Sequence, residues 1–440
     1  MGHVLVLGGG LAGLSAAIAL GQSGHRVTVL EARAFPGGRA TSYPLQGSDE
    51  GEVIDNCQHV LMRCCVNLLD FYRRLGVDDR IKFHKEFYFI EPGGRTSIMR
   101  AGVLPKPLQF TESFAALRFL ELRDKLAIGK ALLAIRKERL TRRDLDQITM
   151  LQWLQEKQQT PRAIERFWRQ VLVSAINEDL DRMAASHGFQ VFWLGFLASS
   201  DSYEMGLPDV PLAELYSAEA WAQAPTVELK FRTTATRLAA EGDRITGVET
   251  EGGLLVADHY VAALPFERLS TMAPDLGIDY SVFEHSPITG VHLWFDRPVT
   301  WMPHATLLDR TLQWMFNKGE GRYLQLVISA SRPLTPMSRN EVIELALREL
   351  AEYFPVVRQA KLEKAHVVKE MRATFSARPG LEALRPETRT RFANLSLAGD
   401  WTRSGWPATM EGAVRSGYKA AEAAAAAIGS NDGFLIPDIA

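Results

Sequence analysis

The 440 residues suffice for about three average domains, and Lys+Arg 50 against Asp+Glu 52 leaves a formal charge of −2. With 46% hydrophobic and 23% charged residues, the composition excludes a disordered chain, a collagen and a generally basic nucleic-acid binder. Cys57, Cys64 and Cys65, an odd set with two members adjacent, form no disulfide framework and point to a reducing cytosol.

The first 25 residues carry no Lys, Arg, Asp or Glu. A secretory signal needs a positively charged start, however, and here Gly8, Gly9, Gly10 and Gly13 break the apolar run. His3 to Leu7 reads as a strand, Leu11 to Leu20 as a small-residue helix, and Arg26 to Leu30 as a second strand closed by Glu31, together a βαβ unit. From about Pro107 to Gln159 the spacing is helical and without strands. Phe110, Phe114 and Leu117 share one stripe there, and Leu126, Leu133 and Ile135 belong to the next segment. Thr160 and Pro161 read as the N-cap and first-turn proline of a helix whose buried face is Ile164, Phe167, Trp168, Val171 and Leu172. The uncharged stretch from Met183 to Ser200 is interrupted by His187, Gly188, Gln190 and Gly195, too polar for a membrane span.

A period near two returns at Val227 to Phe231, Ile245 to Thr250 and Tyr260 to Ala263, with turn signals at Gly242-Asp243 and Gly252-Gly253. Ile288 to Phe295, Gln313 to Phe316 and Tyr323 to Ile328 read as antiparallel strands, linked by the Asn317 to Arg322 turn. Ser338 and Glu341 form a capping box for a helix carrying Ile343, Leu347, Leu350 and Phe354. Leu395 to Ala398 is a last strand, and Thr409 to Ile428 an alanine-rich helix. This alternation predicts an α/β fold of two intergrown domains. A nucleotide-binding one takes residues 1–80, 209–265 and 386–430, and one combining helices with an antiparallel sheet takes 81–208 and 266–385.

Gly8-Gly9-Gly10-Leu11-Ala12-Gly13 fits GxGxxG between strand and helix, where glycines permit the turn, the approach of a pyrophosphate and close helix packing. The helix start adds free N–H groups and a partial positive charge. Glu31, at the end of the second strand, is placed to accept hydrogen bonds from an adenosine ribose and would repel a 2′-phosphate, which disfavours NADP. The motif alone marks a dinucleotide; a plain strand-to-helix turn beside a surface glutamate is the alternative.

Glu31-Ala32-Arg33 followed by Gly37-Gly38-Arg39-Ala40 resembles the flavin-containing amine oxidoreductase and phytoene-desaturase superfamily, whose Gly-Gly-Arg segment passes beside the FAD pyrophosphate. Leu397-Ala398-Gly399-Asp400, with Thr409-Met410-Glu411-Gly412-Ala413 after it, resembles that family's second FAD signature. There the aspartate contacts the ribityl-phosphate part, and the helix that follows points its N-terminus at the flavin, stabilising negative charge on the reduced ring. The resemblance implies a Rossmann-type FAD domain and FAD held without a covalent link. Arg33 and Arg39 are alternatively solvated charges.

Asp55-Asn56-Cys57-Gln58-His59-Val60-Leu61 with Cys64-Cys65, together with Asp400-Trp401-Thr402 and Trp406 to Glu411, is similar to the squalene-associated branch, the hydroxysqualene dehydroxylases. This likeness extends over nearly the whole chain, including Ala373-Thr374-Phe375 and Arg385-Pro386. It implies a long-chain isoprenoid substrate, reductive loss of an allylic hydroxyl, and Gln58 and His59 close to the flavin. His59 is either a proton donor or a partner of the backbone. Many superfamily members carry glycine at the place of Cys57. Desaturation of an isoprenoid, amine oxidation and a non-catalytic isoprenoid-binding role are the competing functions.

No second GxGxxG follows a strand, so the electron donor is left open: a substrate, a transient reductant or a partner protein. No His/Cys spacing suggests a metal. Arg136, Lys137, Arg139, Arg142 and Arg143, interleaved with Glu138, Asp144 and Asp146, read as a solvated face or as a contact with anionic headgroups. The second option places a cytoplasmic protein peripherally at the inner face of the cytoplasmic membrane.

Overall fold

A computed structural model describes residues 2–45 and 52–439. His3–Leu7 is the central strand of a five-stranded parallel sheet, flanked by Arg26–Leu30 and Val227–Lys230 on one side and His259–Ala262 and Leu395–Leu397 on the other. A parallel sheet is covered on both faces, which is why these strands are nearly continuous Val, Leu and Ala. Val4 to Leu7 are at most 1% exposed. Two helices, Leu11–Gln22 and Met410–Ala427, pack on this sheet and on each other. Their small residues make that contact close. A Cβ at Gly417 would stand 2.2 Å from the Ala12 carbonyl oxygen.

The second sheet has seven strands, in the order Leu362–Phe375, His285–Phe295, Tyr323–Ile328, Trp314–Gly319, His304–Leu307, Glu86–Ile90 and Thr96–Arg100. It is antiparallel except where His304–Leu307 runs beside Glu86–Ile90. Side chains alternate between its faces. Val291, Leu293, Leu324, Leu326 and Ile328 pack under the Arg339–Tyr353 helix. Phe316 and Val327 point the other way, against Cys57 and with Ile288 and Trp314 beside them. Ser338 and Glu341 make the expected reciprocal cap, and Thr160 accepts from the Ala163 N–H at 3.0 Å as an N-cap should.

Several elements differ from the sequence reading. Leu362–Phe375, 14 residues long, lies at a sheet edge. Its charged residues blunt an open edge and thereby hide the apolar alternation that would announce a strand. The helices before and after Asn177 contain π turns at Ile164–Trp168 and Trp193–Leu197. The single helix Leu122–Thr141 turns Ile128, Ala131 and Ile135 inward, whereas Leu126 and Leu133, grouped with Ile135 in the sequence, point outward. Among the described residues no helix is long and apolar enough to cross a membrane.

Candidate cofactor and substrate site

The glycine loop is tied to its surroundings through backbone. Gly8 N donates to the Leu30 carbonyl at 2.8 Å, and Gly37 N donates to the Gly9 carbonyl at 2.7 Å, so the Gly37-Gly38 turn lies directly on the loop. Glu31 holds the loop from the other side: one carboxylate oxygen accepts from Gly9 N and the other from Arg33 N, each at 2.8 Å. Arg33 reaches back to the Gly38 carbonyl at 3.0 Å. Close packing explains Gly13, where a Cβ would stand 1.9 Å from the Gly8 carbonyl oxygen. Gly10 is different. A Cβ there would meet nothing nearer than Gly38 Cα at 3.9 Å, so space is left in front of an N-terminus with no side-chain cap. Uncapped first-turn N–H groups beside open space suit an anion such as a pyrophosphate.

The second signature meets the first through Arg39, whose guanidinium pairs with Asp400 at 2.7 Å and donates to the Ala373 carbonyl at 2.8 Å. It is therefore a bridge between three segments distant in sequence. Arg385, fully buried, donates to the carbonyls of Asp400, Thr402 and Trp406 and pairs with Glu382 at 2.6 Å, which fixes the Asp400 to Trp406 loop. Thr409 caps the Met410–Ala427 helix by accepting from Gly412 N at 3.0 Å. The Glu411 side chain is turned to another task. Its carboxylate accepts from Asn67 N, Asn67 Nδ2 and Leu68 N at 3.2, 2.9 and 2.7 Å, at the start of the Val66–Arg74 helix. Burial pushes its pKa up to about 7 against those donors and Arg415. What Glu411 can offer the cavity is its backbone N–H at the helix start.

Between the two signatures runs the Asp55 to His59 segment. Asp55 accepts from Ser42 Oγ at 2.7 Å and from Leu212 N at 3.1 Å, and pairs with Lys318 at 3.2 Å. Lys318 also donates to Gln58 Oε1 at 3.2 Å, fixing that side chain. Cys57 is buried against Phe316 and Val327, so the backbone accommodates a side chain at the position where the resemblance leads one to expect glycine, and burial pushes the thiol up to about 12. Cys64 and Cys65 are likewise free thiols. His59 Nδ1 lies 2.7 Å from the Cys57 carbonyl and, as the donor there, fixes the Nδ1–H tautomer and leaves Nε2 as an acceptor. Burial holds its pKa below the ordinary 6.5, the Cys57 bond opposing only in part.

Every residue expected at the cofactor lines one cavity of about 1040 Å³, save Gly13, which lies behind the loop; His59 lines it too. The cavity continues past Gln58 and His59 between the seven-stranded sheet and the helices, where Phe89, Val171, Leu194, Phe196, Trp314 and Val327 make its wall apolar. Lys318 and Asn67 are structural supports the sequence reading missed. A lone lysine near the end of an aromatic strand carries no local signal. The Arg385-Pro386 pair was singled out only through a resemblance.

The model of the family described as flavin containing amine oxidoreductase matches residues 11–425. The chain belongs to that family. A hydroxysqualene dehydroxylase of Zymomonas mobilis is 28% identical over 428 aligned positions, covering 95% of this chain and 98% of the relative. A zeta-carotene desaturase of Synechocystis is 25% identical over 475 positions, covering 96% of each. Among solved structures, a putrescine oxidase superposes with a TM-score of 0.72 at 15% identity, covering 97% of this chain and 99% of its own. A cyclohexylamine oxidase from Brevibacterium oxydans gives 0.66 at 18%, with the same coverage. The amine oxidase fold and FAD as cofactor follow. In this flavoenzyme the open space at Gly10, the uncapped helix start, and Arg33 and the Arg39–Asp400 pair along the same cavity fit a flavin dinucleotide. The protein is an oxidoreductase of the branch that holds carotene desaturases and hydroxysqualene dehydroxylases.

Proposed function

We propose that the protein reductively removes the hydroxyl of hydroxysqualene, giving squalene and water. The observation that carries this reading is the end-to-end match to the dehydroxylase. Its 428 aligned positions need fewer insertions than the 475 of the carotene desaturase match, at a like coverage of this chain. The apolar wall beyond His59 supports a long hydrocarbon substrate, since burying it there removes apolar surface from water.

When bound and reduced, FAD supplies the hydride that replaces the hydroxyl on the allylic carbon. The chain's own residues do the rest. The aromatic and aliphatic wall excludes water from the developing allylic cation. The Lys318 to Gln58 bond and the Asp55 anchors hold the segment that carries His59. His59 is assigned the proton that leaves with the oxygen as water, held at Nε2 because Nδ1 is engaged by Cys57. Its lowered pKa means that it is charged only below ordinary histidine pH, and that it is a stronger acid when charged. This reading assigns residues 1–80, 209–265 and 386–430 to the cofactor and residues 81–208 and 266–385 to the substrate, and places the protein peripherally at the cytoplasmic face of a membrane.

A desaturase is the second reading, favoured by the burial that disfavours the charged form of His59: removing hydride from a hydrocarbon requires no protein acid. One anaerobic experiment separates them. Chemically reduced enzyme mixed with hydroxysqualene is reoxidised as squalene forms, and substitution His59→Gln slows this by about a hundredfold and flattens its rise toward acid pH. Bleaching of the oxidised enzyme by a more saturated isoprenoid, with a new double bond and no reaction with hydroxysqualene, establishes the desaturase instead. Normal reoxidation of the His59→Gln enzyme removes only the assigned acid.

A further inference from the structure

The Leu122–Thr141 helix is apolar on two sides. Its inner side buries Ile128, Ala131 and Ile135, yet Leu122, Leu126, Leu133 and Leu140 are 73%, 59%, 66% and 73% exposed. At 3.6 residues per turn these four leucines fall within about 40° of arc, and they extend over about 27 Å. Single exposed leucines are ordinary on a protein surface, but an aligned stripe marks an interaction face.

Charge says what covers it. Lys130 and Lys137 flank the stripe on one side and Arg136 on the other, and none of the three makes an ion pair among the described residues. The two acids of the helix are both engaged on its inner side. Asp124 accepts from Thr160 Oγ1 at 2.5 Å, and Glu138 accepts from Trp153 Nε1 at 2.9 Å and pairs with Lys157. Arg142 pairs with Asp144 and Glu156, and Arg139 lies over the Trp193 ring at 3.5 Å, so the full basic run is not what faces outward. A leucine stripe between unpaired long cations is the pattern of a helix lying in a bilayer interface, its lysines and arginines reaching headgroups.

The position relative to the cavity fits the same occupant. Trp193, under Arg139, begins the π turn whose Leu194 and Phe196 line the apolar end of the cavity. The loop before Gln109 is tied to the same turn. Lys106 Nζ donates to the Ala198 carbonyl and Gln109 Nε2 to that of Phe196, at 2.7 and 2.9 Å, while Val103 stands 92% exposed. A second copy of the chain fits less well. Pairing two stripes about their midpoint brings the two Lys130 side chains together with no acid between them.

We propose that the outward face of the Leu122–Thr141 helix docks the protein on a bilayer rich in anionic headgroups, beside the cavity wall through which an isoprenoid is taken up. The purpose rests on the isoprenoid reading of the cavity; the geometry rests on the helix alone. The test is co-sedimentation of the FAD-loaded protein with vesicles of phosphatidylcholine and phosphatidylglycerol. Wild type is expected to bind, more weakly in high salt and to pure phosphatidylcholine. Leu126→Asp with Leu133→Asp is expected to lower the partition coefficient by about a hundredfold, the effect of withdrawing two leucines from the apolar phase. Lys130→Glu with Lys137→Glu is expected to remove the preference for phosphatidylglycerol. All four positions are exposed, so flavin content and melting temperature serve as folding controls. Wild type that ignores the vesicles, or a double leucine variant that binds them as wild type does, overturns the proposal. A dimer that the leucine substitutions dissolve, without vesicle binding, overturns it in favour of a second copy. Turnover of detergent-dispersed hydroxysqualene tests the reaction separately: vesicle binding without turnover leaves the surface standing and the substrate wrong.

Discussion

At its glycine-loop end the cavity wall is largely backbone, held at hydrogen-bond distance by Gly8, Gly9 and Gly37 and clamped by a single carboxylate, Glu31. At its far end the wall is side chains drawn from sheet and helices, among them Phe89, Val171, Leu194 and Trp314. A backbone wall needs particular residues at fixed spacing and tolerates little change. A wall of side chains needs only apolar volume, which many sequences supply. The difference predicts large, cofactor-linked effects at the first end and small, substrate-linked ones at the second.

The largest effect is expected at Arg385, which holds three backbone carbonyls of the Asp400 to Trp406 loop from a fully buried position. Arg385→Ala strands those carbonyls and Glu382, and should cost about 3–5 kcal/mol of stability in denaturant titration. The variant should also purify with little flavin. Flavin retained at normal occupancy would mean that the loop is fixed without it, and would weaken the contrast between the two ends.

Glu411 gives a pH-dependent test of the same end. Its folded pKa is raised by burial from 4.5 to about 7. Between these values the folded chain binds more protons than the unfolded one, so stability falls as pH rises through this window. The contribution is fully present below the unfolded value and is lost above about pH 7, a change of about 3 kcal/mol. The stability difference between wild type and Glu411→Gln, followed from about pH 4 to about pH 8, should shift by that amount in favour of the variant. A constant difference would mean that the three N–H donors keep the carboxylate charged throughout.

How much was legible in the sequence follows the same divide. The βαβ start, the Ser338 cap and the Met410–Ala427 helix were readable because each is specified by neighbours within a few residues. The pairing of Arg39 with Asp400, across 361 positions, was not predictable from spacing, and the family resemblance places each at the cofactor without placing them against each other. Lys318 shows the limit more sharply: it anchors Asp55 and Gln58 although nothing adjacent marks it. Leu126 and Leu133 point away from the core although the sequence groups them with the buried Ile135. Periodicity reports that a helix has an apolar stripe and does not report which of two stripes meets the core.

Two substitutions of smaller effect sharpen the comparison, one at each end. Glu31→Ala removes the acceptor for Gly9 N and Arg33 N, and should weaken FAD retention by about 1–3 kcal/mol, measured by flavin release on dilution. Phe316→Leu, on the apolar face beside Cys57 and Val327, keeps most of the buried volume, and should cost less than about 1.5 kcal/mol of stability. Its flavin should be released at the wild-type rate, because Phe316 belongs to the side-chain wall and makes none of the bonds that hold the glycine loop. Its effect should appear in KM for the isoprenoid, with kcat nearly unchanged, as loss of contact made equally in ground and transition states requires. Should Phe316→Leu release flavin as readily as Glu31→Ala, the far wall also holds the cofactor, and the division of the cavity into a backbone end and a side-chain end fails.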